Sequence, residues 1–210
     1  MYGIQNFELF CLSAIVLSVT PGPDTFYILG RTISQGTKSG YASVLGISTG
    51  VLVHTIAAAI GLSTILATSA MVFKIIKLIG AAYLIYLGIT LIFASKHTDV
   101  LSKNNLPEIS FWKIYSQGVL TNVLNPKVAL FFLSFLPQFI DANQGNVASF
   151  SFLGLVYVFI CTLWYLIFAG FSSGIAMAFK KNPLWIRTIN KISGSIFIAL
   201  GLNLAFSNTD

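Results

Sequence analysis

The chain has 210 residues, 56% of them hydrophobic and only 9% charged, with a mean hydropathy of +0.84; soluble domains carry about 25% charged residues, so that class is excluded. The formal net charge is +6, but the basic residues stand singly or in pairs between apolar runs, a pattern of membrane topology and not of a nucleic-acid-binding face. Spans of about 20 residues account for most of the length, so residues 1–210 are read as a single polytopic membrane domain with no room for a soluble one.

Taken in order, the apolar runs predict spans at Phe7–Gly30, Tyr41–Thr68, Val72–Ala94, Trp112–Ile140, Ala148–Phe179 and Thr188–Phe206. They are long and continuous, without the short alternation of a barrel, so helices satisfy their backbone groups in lipid. The first run carries Glu8 and lacks a basic leader or a small-residue cleavage pattern, and is expected to remain as a span. Cys11 and Cys161 lie inside apolar runs, where a thiol acts as a small hydrophobe and implies no disulfide.

The first span contains Thr20-Pro21-Gly22-Pro23-Asp24. Neither proline donates a backbone hydrogen bond, so the carbonyls of Leu17 and Val19 lose their helical partners and the helix is expected to break, resuming around Pro23. The free N–H groups of the new first turn, at the positive end of a half-helix, suit an anionic group such as a carboxylate. Asp24 has two competing roles, a helix-capping carboxylate at headgroup level or a functional charge inside the membrane.

His54 lies in the middle of the second span on a stripe of Gly46, Gly50, Ala57 and Gly61 that lets another helix approach. It either relays protons or bonds a neighbouring helix. Gly46-Ile-Ser48-Thr-Gly50 matches the nucleophile pattern G-x-S-x-G, but a nucleophile elbow needs a strand–turn–helix setting, so the match is assigned to helix packing. Lys74 and Lys77 open the third span and are expected to snorkel toward headgroups; Trp112, Tyr115 and Trp185 near span ends read as interface anchors.

The fourth span holds Asn125-Pro126-Lys127. Asn125 suits an N-cap, Pro126 suits the first helical position, and the carbonyl of Asn122 loses its donor, which makes a second candidate anion site. A charge at Lys127 must be paired, hydrated or in contact with carbonyls. No nucleotide fingerprint or metal cluster is legible, since His97 is far in sequence from His54, so no cofactor is expected.

Arg31, Lys38, Lys96, Lys103, Lys113, Lys180, Lys181, Arg187 and Lys191 fall on the side of the odd loops, against Lys74 and Lys77 on the other; the nine-to-two bias predicts cytoplasmic odd loops and external termini. Lys77-x-x-Gly80 and Lys191-x-x-Gly194 open the third and sixth spans, and a proline-interrupted helix opens each group of three. The predicted fold is an all-α membrane protein of six transmembrane helices, built as two inverted three-helix repeats (about residues 1–95 and 110–206) with broken first and fourth helices.

These residues resemble the LysE/RhtB family of bacterial amino-acid exporters, in particular its RhtB-like branch. The likeness spans the chain and rests on Thr20 to Asp24, then Arg31, Gly36, Gly40, Gly46, Gly50 and His54, then KLIGAAYLIYLG from Lys77 to Gly88, then Leu124 to Lys127. Asp24 departs from the Asn or Gln that many relatives carry there. The resemblance implies a multi-pass secondary exporter of the bacterial cytoplasmic membrane, moving amino acids outward in exchange for protons, and not an enzyme.

A zwitterionic substrate needs a cationic partner, here Lys127 or a half-helix N-terminus, and an anionic or carbonyl partner, here Asp24 or the freed carbonyls. With only Glu8 as a further carboxylate in the spans, a neutral amino acid of threonine, homoserine or branched-chain type is favoured. Pro21, Gly22, Pro23, Asp24, Asn122, Asn125, Pro126 and Lys127 are the candidate substrate residues, and Asp24 and His54 the candidate proton carriers. The rival classes are an intramembrane hydrolase using Ser48 with His54, and a membrane scaffold without transport.

Overall fold

The computed structural model describes residues 3–68, 70–93, 108–141, 145–172 and 184–206. Lys96, His97, Lys103, Lys180 and Lys181, the expected span ends at Ala94 and Phe179, and the side chains of Lys74, Lys77 and Trp185 lie outside what is described.

Every described element is helical: α1 (Phe7–Val19), α2 (Pro23–Gln35), α3 (Thr37–Thr68), α4 (Ala70–Phe93), α5 (Phe111–Val123), α6 (Pro126–Leu130), α7 (Val147–Gly170) and α8 (Leu184–Phe206). Among the described residues two helices are long and apolar enough to cross a membrane alone, Thr37–Ile65 and Val147–Gly170, at mean hydropathies of 1.8 and 2.3. Two more spans are bent pairs, α1 with α2 at 48° and α5 with Pro126–Phe139 at 47°. With α4 and α8, of 24 and 23 residues, the order of the six expected spans is recovered.

Both bends lie where prolines remove donors. α1 ends at Val19, Thr20 and Gly22 are extended, and Pro23 takes the first helical position of α2. α2 continues to Gln35, five residues beyond the expected Gly30, and stops at Gly36, whose φ of +83° is a conformation that a side chain resists. In the fourth span, α6 passes into a π-helical turn, Phe131–Phe135, and then a 3-10 turn, Leu136–Phe139. Asn146 and Ser149 form a capping box that starts α7.

Lipid removes the hydrophobic driving force between helices, so their association rests on close packing of small residues. α3 lies parallel to α5, Gly46 against the Tyr115 carbonyl and Gly118, and Gly50 under the Asn122 side chain. It lies antiparallel to α7, with Gly40 near Ala169, the Ser48 and Thr162 hydroxyls 2.7 Å apart, and Thr55 over Gly154. The small-residue face therefore runs through Gly46, Gly50, His54 and the buried Ala58; Ala57 is exposed and Gly61 meets nothing, because steps of four keep to this interface and the step of three leaves it.

α4 and α8 are antiparallel and interlock at a pair of glycines. A Cβ on Gly88 would strike the Gly194 carbonyl and Ile198, and one on Gly194 would strike the Gly88 carbonyl and Ile92. The Lys-x-x-Gly motifs would instead align Gly80 with Gly194, but Gly80 packs on Ser134 of the π turn. The similarity of those motifs thus does not mark matching surroundings.

Candidate functional site

The two breaks meet at the centre of the bundle. Lys127, 8% exposed, sends its ammonium from the first turn of α6 across to the end of α1, donating to the Leu17 carbonyl at 2.8 Å and the Thr20 carbonyl at 2.7 Å. The cation therefore sits on the negative end of α1 and satisfies two carbonyls that the break has exposed. Leu17 is the carbonyl freed by Pro21, as the sequence predicts; the second is Thr20 and not Val19, because the chain turns extended at Thr20 and presents that carbonyl sideways. The lysine stem runs beside Gly22, whose Cβ position lies 3.4 Å from Nζ.

Asp24, 2% exposed, occupies the equivalent place after Pro23 and reaches the opposite way, its Oδ2 accepting from the Asn122 side-chain amide at 2.9 Å. Each residue after a break proline thus contacts the half-helix that precedes the other break. Among the described residues Lys127 and Asp24 do not form a direct ion pair; carbonyls and an amide stand as their immediate partners.

In the fourth span Asn125 is the N-cap and Pro126 the first helical residue, as expected. The Asn125 Oδ1 accepts from the Lys127 backbone N–H at 3.1 Å, while Val128 and Ala129 N–H donate to the Asn125 carbonyl. The backbone donors of this turn are consumed by the chain, so the expected free backbone N–H groups are not found there, and the Asn125 side-chain NH2 lies beside the Asp24 carboxylate. The Asn122 carbonyl, which Pro126 deprives of a helical donor, accepts from the Asn125 N–H at 2.9 Å and lies 3.1 Å from His54 Nε2. Because a carbonyl only accepts, His54 donates from Nε2. Its ring also stacks on Phe132 at 5.8 Å. One residue, Asn122, thereby joins His54 through its carbonyl and Asp24 through its side chain.

All of the sequence-predicted site residues, Pro21, Gly22, Pro23, Asp24, His54, Asn122, Asn125, Pro126 and Lys127, fall in or beside this cluster. Ser48 and His54 do not meet as a dyad: Ser48 is bonded to Thr162 and His54 to Asn122.

Three groups were not singled out from the sequence. Tyr157, Cys161 and Tyr165 stand one turn apart on one face of α7, all buried and within electrostatic range of Asp24, with Tyr165 facing Thr25. Their i, i+4, i+8 spacing was a readable signal. Phe10, Phe131, Phe132, Phe135 and Phe139 pack together on one side of the breaks, where the chain start joins the end of the fourth span through Gln5 N–H to the Phe139 carbonyl and Asp141 N–H to the Gly3 carbonyl.

On the other side, polar bonds tie α2 to α5. The Tyr27 hydroxyl donates to the Ile114 carbonyl at 2.7 Å, Arg31 donates to Gln35 and Gln117 at 3.0 Å each, and Gln35 donates to the Ile109 carbonyl at 3.1 Å. Arg31, counted as a loop cation from the sequence, is inside α2 and 8% exposed; its removal leaves the basic bias at eight to two.

Comparison with known proteins identifies relatives along the whole chain. The chain is 31% identical over 201 residues to the uncharacterized membrane protein YrhP of Bacillus subtilis (strain 168), covering 92% of this chain and 95% of that protein. It is 30% identical over 207 residues to the leucine efflux proteins of Salmonella choleraesuis (strain SC-B67) and Salmonella paratyphi A (strain ATCC 9150 / SARB42), covering 97% of this chain and 96% of each. No solved structure matches the chain. Residues 15–208, which include both breaks and every helix but the first eight residues of α1, match the family described as LysE type translocator, and a multi-pass chain with that match over nearly its whole length belongs to the LysE type translocator family.

Proposed function

We propose that this protein is a secondary exporter of a neutral amino acid, of threonine, homoserine or branched-chain type, across a bacterial cytoplasmic membrane, driven by inward proton flow. The observation that carries the reading is the juxtaposition of two proline-broken spans with Asp24 and Lys127 at their centre. Broken helices facing one another at mid-membrane are how many transporters expose backbone and charge to a small polar solute. The leucine efflux relatives favour the branched-chain end of the range. The antiparallel pairing of α3 with α7 and of α4 with α8 fits two inverted three-helix halves.

Proton coupling is supported by the connection through Asn122, which places a histidine and a carboxylate on opposite ends of one residue. The basic bias supports external termini. In intact cells of a variant lacking Cys11 and Cys161, Asn143→Cys is expected to react with an impermeant thiol reagent; labelling only after lysis reverses the orientation.

Counterflow in proteoliposomes with a panel of labelled amino acids tests the function itself. Uptake of leucine or threonine against an internal pool is expected, and its absence across the neutral panel defeats the reading in favour of a scaffold. Ser48→Ala is expected to keep flux within about twofold, as the net contribution of a single neutral hydrogen bond is small; complete loss would favour the hydrolase.

A further inference from the structure

Around the two breaks the polar atoms do not balance. Asp24 Oδ1, Thr25 Oγ1, Asn122 Oδ1 and Asn125 Nδ2 are buried and make no hydrogen bond of good geometry, on residues that are 2%, 4%, 0% and 2% exposed. Native proteins leave few such atoms, because an unpaired buried group forfeits more than a made bond returns. Atoms of the same kind on Gln138 and Asn190 are away from the breaks. The four lie around the breaks: Asp24 and Thr25 are consecutive in the first turn of α2, Asn122 is bonded to Asp24, the Asn125 amide lies beside the Asp24 carboxylate, and Thr25 faces Tyr165, which is itself within electrostatic range of Asp24. Three of them are oxygens able to accept and one is a nitrogen that donates.

We propose that these atoms await the two ends of one α-amino acid and that the site selects a primary ammonium. This rests on the amino-acid export reading above. Asp24 Oδ1, Asn122 Oδ1 and Thr25 Oγ1 accept the three N–H bonds of the ammonium, and Thr25 keeps its own hydrogen for the Tyr165 hydroxyl that faces it. Asn125 Nδ2 donates to the carboxylate, joined by the third N–H of Lys127, whose other two are held by Leu17 and Thr20. The substrate class is therefore primary amino acids; proline and N-methylated amino acids, with two N–H bonds on the charged nitrogen, leave one acceptor unmet. Thr25 becomes the specificity residue that reads the third N–H.

The test is counterflow in proteoliposomes with leucine or threonine, whichever is carried faster, against its N-methyl derivative. The wild-type protein is expected to favour the primary amine by about tenfold, the scale of a hydrogen bond to a charged group. Thr25→Val keeps the volume but removes the acceptor, so flux of the primary substrate falls and the preference shrinks to within about twofold; Thr25→Ser keeps the preference. An unchanged preference in Thr25→Val overturns the assignment. A second measurement needs no variant: with leucine as substrate, leucinamide, which keeps the ammonium, is expected to compete better than 4-methylpentanoate, which keeps the carboxylate, and the reverse order overturns it. Absence of all amino-acid flux in wild-type vesicles defeats the export reading as well, whereas flux with the wrong preference defeats only this inference.

Discussion

The first and fourth spans bend by nearly the same angle, 48° and 47°, yet they stabilise their breaks differently. The fourth satisfies its own backbone: Asn125 caps its own helix through Oδ1 and its carbonyl, and among the described residues the outside partner of the freed Asn122 carbonyl is His54. The first has no side-chain cap at Gly22, and the carbonyls of Leu17 and Thr20 are satisfied by a cation from the other break. A break that is completed by its partner changes whenever the partner does. The first span is therefore the dependent element, and Lys127 is the group through which the fourth controls it.

Removing that control is the harshest way to break the comparison. Lys127→Met leaves two buried carbonyls unpaired, at roughly 1–3 kcal/mol each, and leaves Asp24 without a nearby cation. Export is expected to fall by more than tenfold while the protein still inserts, measured as counterflow normalised to membrane-embedded protein; wild-type flux would show that the first break needs no outside cap.

The next largest effect falls on the link between the breaks. Gly50→Ala places a methyl group in the Asn122 side chain and forces it away from Asp24, so flux is expected to drop several-fold in the same assay. Unaltered flux would separate Asn122 from the working site. His54→Gln can still donate to the Asn122 carbonyl but does not titrate. It is expected to abolish uphill efflux under a pH gradient and to leave exchange at equal pH mostly intact, whereas efflux that still follows the gradient would move coupling elsewhere.

In stability, as distinct from flux, the smallest effect is at the self-sufficient break's own cap. Asn125→Ala removes an N-cap worth about 1 kcal/mol, so the thermal midpoint of detergent-solubilised protein is expected to drop by a few degrees. A collapse as large as that of Lys127→Met would mean the two breaks are alike after all.

The breaks were legible in the sequence because proline acts locally: it removes a donor at a known position whatever surrounds it, and Pro23 and Pro126 begin helices as their chemistry requires. The pairing of those breaks through Lys127 and Asp24 was not, since which carbonyl a long side chain reaches is decided by packing between helices over 100 residues apart in sequence. Arg31 shows the same limit. Its charge marked it as a loop residue, but the neutral partners Gln35 and Gln117 keep it inside the bundle, and no run of apolar residues reveals that. The π turn at Phe131–Phe135 escaped for a further reason: it depends on the space that Gly80 leaves for Ser134 on another helix.

The glycine crossing of α4 and α8 bears on motion. Where Gly88 and Gly194 meet, the helices approach so closely that a side chain on either glycine would strike the other backbone and an isoleucine four residues on. Helices seated this closely are expected to move together. On the export reading proposed above, a swing that admits solute first from one face and then from the other falls to the two bent spans, with this pair as the post against which they turn.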